Sequence, residues 1–160
     1  KNHFLVQMHS TAHHAYFMEK GFAAGYYFVE RGRVVTSFFQ AGEIVLSPQS
    51  FFEQSQSDEV IQVTIDSDLL CISYASVNKL FEEFPEANFL ARAITAQFHS
   101  RSNERMVDLH TLSASARYEK LVTRYPRIEL HASQDLIASY LNITPQSLSR
   151  LRHNRNQGLT

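Results

Sequence analysis

The chain has one cysteine in 160 residues. A single thiol, Cys71, closes no internal disulfide and builds neither a zinc ribbon nor an iron–sulfur site. It lies in an apolar strand pattern, which predicts a small buried side chain. No apolar run approaches the ~18 residues of a membrane span, which excludes a helical membrane protein. Lys1 is not an initiator methionine, and no basic-then-apolar leader follows it. The chain therefore reads as a trimmed piece of a longer cytoplasmic protein. No nucleophile–base pair, phosphate loop or paired-carboxylate motif stands out, so no catalytic residues are assigned. No repeat recurs at a fixed period. With 44% hydrophobic and 19% charged residues, the composition excludes a disordered chain and is enough for a real core.

The charge is unevenly spread. Residues 1–116 carry 8 Lys/Arg and 13 Asp/Glu (−5), and residues 117–160 carry 7 Lys/Arg and 3 Asp/Glu (+4). A basic end on an acidic body points to a polyanion partner for that end.

The two halves also differ in pattern. His14–Phe39 is rich in aromatic and β-branched residues, punctuated at Gly21, Gly25 and Gly32. Glu30–Arg33 reads as a hairpin turn and Ala41–Glu43 as another. In Val60–Tyr74, Ile61, Val63 and Ile65 alternate with Gln62 and Thr64, Asp66–Asp68 turns, and Leu69–Tyr74 returns. Many short strands predict a small antiparallel β-barrel or jelly roll over residues 1–84. The second half is helical, so the fold class is α+β. Ser76 is expected to cap a short helix through Phe84, and Pro85 to open a long helix, residues 85–112. Leu90, Ile94 and Phe98 form its apolar stripe, interrupted at Arg101–Arg105, and this stripe is the expected dimer interface. Ser113 or Ser115 caps the next helix, Ala116–Tyr125, within a third unit, residues 113–160.

Ser133–His153 carries the most information. Ile137 and Leu141 share one helix face, and Leu148 and Leu151 share a second. Ile143 lies between, and Ala138 is small enough to let two helices cross closely. Ser133 caps the first helix, Asn142 accepts a left-handed turn, Thr144 caps the second helix and Pro145 takes its first position. This is a helix-turn-helix pattern. Gln146, Ser147, Ser149 and Arg150 face outward near the start of the second helix, the part that enters the major groove in such units.

The runs "ARYEKLVTRYP" (116–126) and "IASYLNITPQSLSRLR" (137–152), placed after a β-rich barrel and a long helix, resemble the Crp/Fnr superfamily of bacterial transcription regulators from about Phe17 to His153. The family usually has glycine where Asn142 stands. The resemblance implies a homodimer on a two-fold symmetric stretch of double-stranded DNA, with RNA polymerase as a further partner. It assigns base contacts to Gln146 and Arg150, residue types that pair with adenine and guanine. It assigns phosphate contacts to Thr144, Ser147, Ser149, Arg152 and His153. Pro145 stands where cyclic-AMP-type members often have an arginine, so that base contact is absent.

The family's nucleotide cassette holds a ribose with a Gly-Glu carboxylate and the cyclic phosphate with an arginine. By register these positions fall near Ser47 and at Ser57–Asp58. No arginine lies between Gly42 and Leu80, and Asp58 and Glu59 would repel a phosphate. Cyclic AMP is therefore not the expected ligand. No cofactor is implied, and any effector in the barrel is another small molecule. The rival reading is a cupin-like metalloenzyme with a helical appendage. His9, His13, His14 and Glu19 are wrongly spaced for it, so no metal site is assigned.

Overall fold

The computed structural model describes residues 1–30 and 32–156. Seven strands among them form two antiparallel sheets. They are β1 (Phe4–Val6), β2 (His14–Lys20), β3 (Phe22–Val29), β4 (Gly32–Gln40), β5 (Ile44–Val45), β6 (Glu59–Val63) and β7 (Asp68–Ser73). The larger sheet has the order β1-β6-β3-β4 and the smaller one β5-β2-β7. The Ala41–Glu43 turn works because Gly42 takes φ 86°, where a Cβ is disfavoured. Gly25 serves close approach: a side chain there would sit 2.2 Å from Ser37 Oγ, beside the β3–β4 register shift. A short helix, α1 (Pro48–Glu53), joins β5 to β6.

Met18 and Val45 from the smaller sheet meet Phe39, Ile61 and Val63 from the larger one, filling the space between them. The other face of the larger sheet is buried too. Phe22, Ala24, Tyr26, Val35, Phe38 and Val60 form one continuous core with the C-terminal helices. Strand β6 therefore buries Val60 as well as Ile61 and Val63, more than its alternation predicted. Tyr125 knits the two layers together. Its ring meets Phe22 edge-on at 5.7 Å, and its hydroxyl donates to Phe38 O at 3.0 Å. Burial pushes that phenol well above its ordinary pKa.

The helices are α2 (Tyr74–Glu83), α3 (Ala87–Thr111), α4 (Ala114–Arg124), α5 (Ile128–His131), α6 (Gln134–Tyr140) and α7 (Pro145–Asn156). Several sequence expectations need correcting. Cys71 is exposed, because β7 is an edge strand. Ser73, not Ser76, caps α2, accepting from Ser76 N–H at 3.1 Å. Helix α3 starts two residues after Pro85, behind Glu86.

The expected interface stripe is partly covered by its own chain. Ile94 and Phe98 pack on the barrel core of their own chain, with Phe98 6.2 Å from the Phe39 ring. Leu90 alone of the three is open, at 60% exposure. Periodicity reveals an apolar stripe but not which neighbour covers it. The same face continues through Arg101 and Arg105 at i+3/i+4 spacing, so these arginines extend the inner face of α3 rather than interrupt an outer one. Leu90, at the N-terminal end of the same stripe, stays exposed, and off that face Phe89, Met106 and Val107 are exposed as well.

Candidate nucleic-acid interface

Backbone chemistry builds the unit at residues 133–156. Ser133 Oγ accepts from Leu136 N–H at 3.3 Å and starts α6. Leu141 ends it, and Asn142 takes φ 52°. Ile143 N–H then reaches back to Ala138 O and Asn142 N–H to Ser139 O, both at 3.0 Å. These two bonds form a Schellman motif, which satisfies the open carbonyls of α6 and reverses the chain. Thr144 Oγ1 accepts from Ser147 N–H at 3.2 Å and starts α7. Gln134 Nε2 donates to Pro145 O at 2.8 Å, fixing the start of one helix against the start of the next.

The two helices are locked by Ile137, Ala138, Leu141 and Leu148, all buried, with Ile143 and Leu151 packed beside them. These are the six positions expected from sequence. With that face inward, α7 turns Gln146, Ser149, Arg150 and His153 to solvent, while Thr144 is exposed before it and Ser147 half-buried. Arg150 has no ion-pair partner among the described residues. Arg152 does: its Nε is 3.9 Å from Glu129, and Arg155 Nε is 3.2 Å from Glu119. Part of the positive charge counted in the sequence is thus balanced inside the helical unit, and Arg150 remains as the unpaired cation of the outward face.

Three side chains that sequence reasoning did not single out hold this unit in place. Ser139 Oγ accepts from Val35 N–H at 3.0 Å and donates to Arg33 O at 2.9 Å, occupying the free edge of β4. Arg105 Nη2 donates to Val35 O at 2.9 Å and Tyr140 O at 3.0 Å, with its guanidinium 4.8 Å from the Tyr140 ring. Arg117 donates to Leu112 O and Leu141 O, at the C-terminal ends of α3 and α6, where a cation also offsets the helix dipoles. Single-sequence patterns carried no signal for these contacts beyond the break in hydrophobicity at Arg101–Arg105.

In the barrel, Ser47 and Ser57 are buried. Ser57 Oγ is used locally, accepting from Glu59 N–H and donating to Glu59 O. The Glu59 carboxyl is enclosed by the sheet, and burial pushes its pKa up to about 7 against hydrogen bonds from Ser47 and Thr36. Asp58 is exposed, 3.9 Å from His9 Nδ1. The position expected to meet a cyclic phosphate is therefore acidic. His13 pairs with Gln54, and no group of three or more His, Cys, Asp or Glu among the described residues could hold a metal ion. No helix among them is long and apolar enough to cross a membrane.

No protein-family model and no curated protein matches the chain. Solved structures do. FixK2 from Bradyrhizobium japonicum superposes with a TM-score of 0.83 at 18% identity, over 99% of this chain and 82% of that one. A CRP-family transcriptional regulator from Thermus thermophilus gives 0.77 at 14% identity, over 99% and 84%. CLP from Xanthomonas campestris, a global regulator responsive to c-di-GMP, gives 0.73 at 17% identity, over 99% and 85%. With two antiparallel sheets, a long helix and a C-terminal helical unit in the same arrangement as these proteins, the chain has the fold of the Crp/Fnr regulators.

Proposed function

We propose that this protein is a DNA-binding transcription regulator of the Crp/Fnr type, with α6 and α7 as its helix-turn-helix. The observation that carries the reading is the outward face of α7: polar side chains and an unpaired Arg150 on a helix fixed by a Schellman turn and two caps. In this reading Gln146 and Arg150 contact base edges. Thr144, Ser147, Ser149, Arg152 and His153 contact phosphates, with Arg152 exchanging Glu129 for DNA.

The active form is a homodimer on a two-fold symmetric operator. Its support is the apolar surface that α3 leaves uncovered: Leu90 is open at the start of the Leu90–Ile94–Phe98 stripe, whose other two members are only partly buried, and Phe89, Met106 and Val107 are exposed beside it. A twin helix there would set two recognition helices about one DNA turn apart, ~34 Å. RNA polymerase is the further partner, and the protein works in the cytoplasm. The exposed Asp58 at the expected phosphate position supports an effector other than cyclic AMP.

Titrating duplex DNA with increasing salt tests the reading. Affinity falls steeply, because each phosphate contact releases counterions. A flat salt response rejects it. The cupin-like enzyme is not favoured, since its histidines assemble no metal-binding group; stoichiometric metal in the purified protein would revive it.

A further inference from the structure

A groove separates the β3–β4 hairpin of the barrel from the turn that begins α7. Val29, Arg33 and Val34 line one side, and Asn142, Thr144 and Pro145 the other. Arg33 is fixed there at two levels. Its carbonyl accepts from Ser139 Oγ at 2.9 Å, so its backbone is tied to the first helix of the reading unit. Its guanidinium stands 5.4 Å from the Tyr26 ring centroid, a cation–π contact that limits its freedom. It has no carboxylate partner among the described residues and is exposed. Asp135, on the reading-unit side of the groove, is the opposing charge, exposed and open to screening. Arg105 also reaches this groove, but its guanidinium is committed to Val35 O and Tyr140 O.

We propose that Arg33 carries a DNA phosphate contact supplied by the barrel, across the groove from Thr144 at the start of the recognition helix. The inference rests on the DNA-binding reading above and extends the interface from the helical unit to the sheet that carries it. A phosphate held at Thr144 lies on one wall of this groove, and Arg33, without an ion-pair partner among the described residues, lies on the other. Such a contact adds affinity without reading sequence. It also makes DNA binding depend on the hairpin staying docked against α6, since Ser139 ties Arg33 to that helix.

The test compares Arg33→Gln, Arg33→Lys and Arg150→Ala on the duplex that wild type selects from random DNA. Arg33→Gln removes two contacts per dimer, so it weakens specific and mismatched duplexes alike by roughly 30- to 100-fold near 0.1 M salt and flattens the log–log salt slope by about 1.8. Arg33→Lys keeps the wild-type slope. Arg150→Ala loses discrimination between the two duplexes. Unchanged affinity and slope in Arg33→Gln, with Arg150→Ala impaired, overturn the barrel contact and leave the DNA reading standing. Competition by inorganic phosphate at constant ionic strength, with no change in slope, would assign Arg33 to a free anion and also overturn it. If wild type binds no duplex, both readings fall.

Discussion

Arg105 and Arg150 are the same residue type in two different settings. Arg105 lies on the inner face of α3, is half-buried and donates to carbonyls of the barrel and of α6. Burial holds its pKa below the usual arginine value. Arg150 lies on the outward face of α7, with no ion-pair partner among the described residues. The difference teaches that charge count does not locate a nucleic-acid surface. A cation must be both uncompensated and placed on the outward side of the reading unit. Arg101, paired with Glu43 at 2.8 Å, sides with Arg105, and Arg33 with Arg150.

The sharpest break in this comparison comes from swapping stability for function. Arg105→Met strips charged hydrogen bonds from two carbonyls and is expected to cost about 2–4 kcal/mol in urea unfolding. Arg150→Ala should change stability by less than about 0.5 kcal/mol yet cost about 1–3 kcal/mol in operator affinity. If Arg105→Met unfolds like wild type, the clamp is not structural.

Covered and exposed positions of α3 divide in the same way. Phe98→Ala, on the barrel side, should lower unfolding stability by about 2 kcal/mol, reduced from a full core value because the ring is only partly buried. Leu90→Glu, at the exposed N-terminal end of the same stripe, should leave monomer stability unchanged and shift sedimentation toward monomer. A dimer of wild-type strength in Leu90→Glu would remove the exposed N-terminal part of the α3 stripe from the interface.

Glu59 sets a pH-dependent contrast inside the barrel. Its folded pKa, about 7, lies above the ordinary carboxyl value of 4.5, so the folded state holds the proton more tightly. That group then favours folding at low pH and loses its contribution as pH rises from about 4.5 to 7. Unfolding of wild type and Glu59→Gln at pH 5 and pH 8 should show the variant gaining relative stability at pH 8, by roughly 1–3 kcal/mol. Parallel losses at both pH values would contradict it.

The smallest effect belongs to the turn. Asn142→Gly, at φ 52°, should be neutral within about 0.5 kcal/mol, whereas Asn142→Val should cost roughly 1–2 kcal/mol. Equal stabilities would mean that the left-handed turn is not fixed in solution.

The turn also shows how much was legible in sequence. Ser133, Asn142, Thr144 and Pro145 act on backbone within a few residues, so their types alone announced the two helices and the reversal. The Glu30–Arg33 turn falls partly on Arg31, outside the described residues; the Asp66–Asp68 turn was misplaced, since the bend is at Ile65, Asp68 already begins β7, and β6 and β7 lie in different sheets. Cys71 was misread, and the packing of Ile94 and Phe98 on their own barrel was not visible, because burial depends on neighbours distant in the chain. Arg33, Arg105 and Ser139 were missed because each acts on a strand or helix far away in sequence, such as Ser139 on Val35.

The central claim is that the outward face of α7 reads bases. Selection from random duplex DNA, with wild type and with Gln146→Ala and Arg150→Ala, tests it most directly. The account predicts that wild type enriches one two-fold symmetric motif with half-sites about one helical turn apart. Each variant should lose preference at one symmetric pair of positions, with guanine preference lost for Arg150→Ala. Enrichment of no motif by wild type, or the same motif from all three proteins, would contradict it.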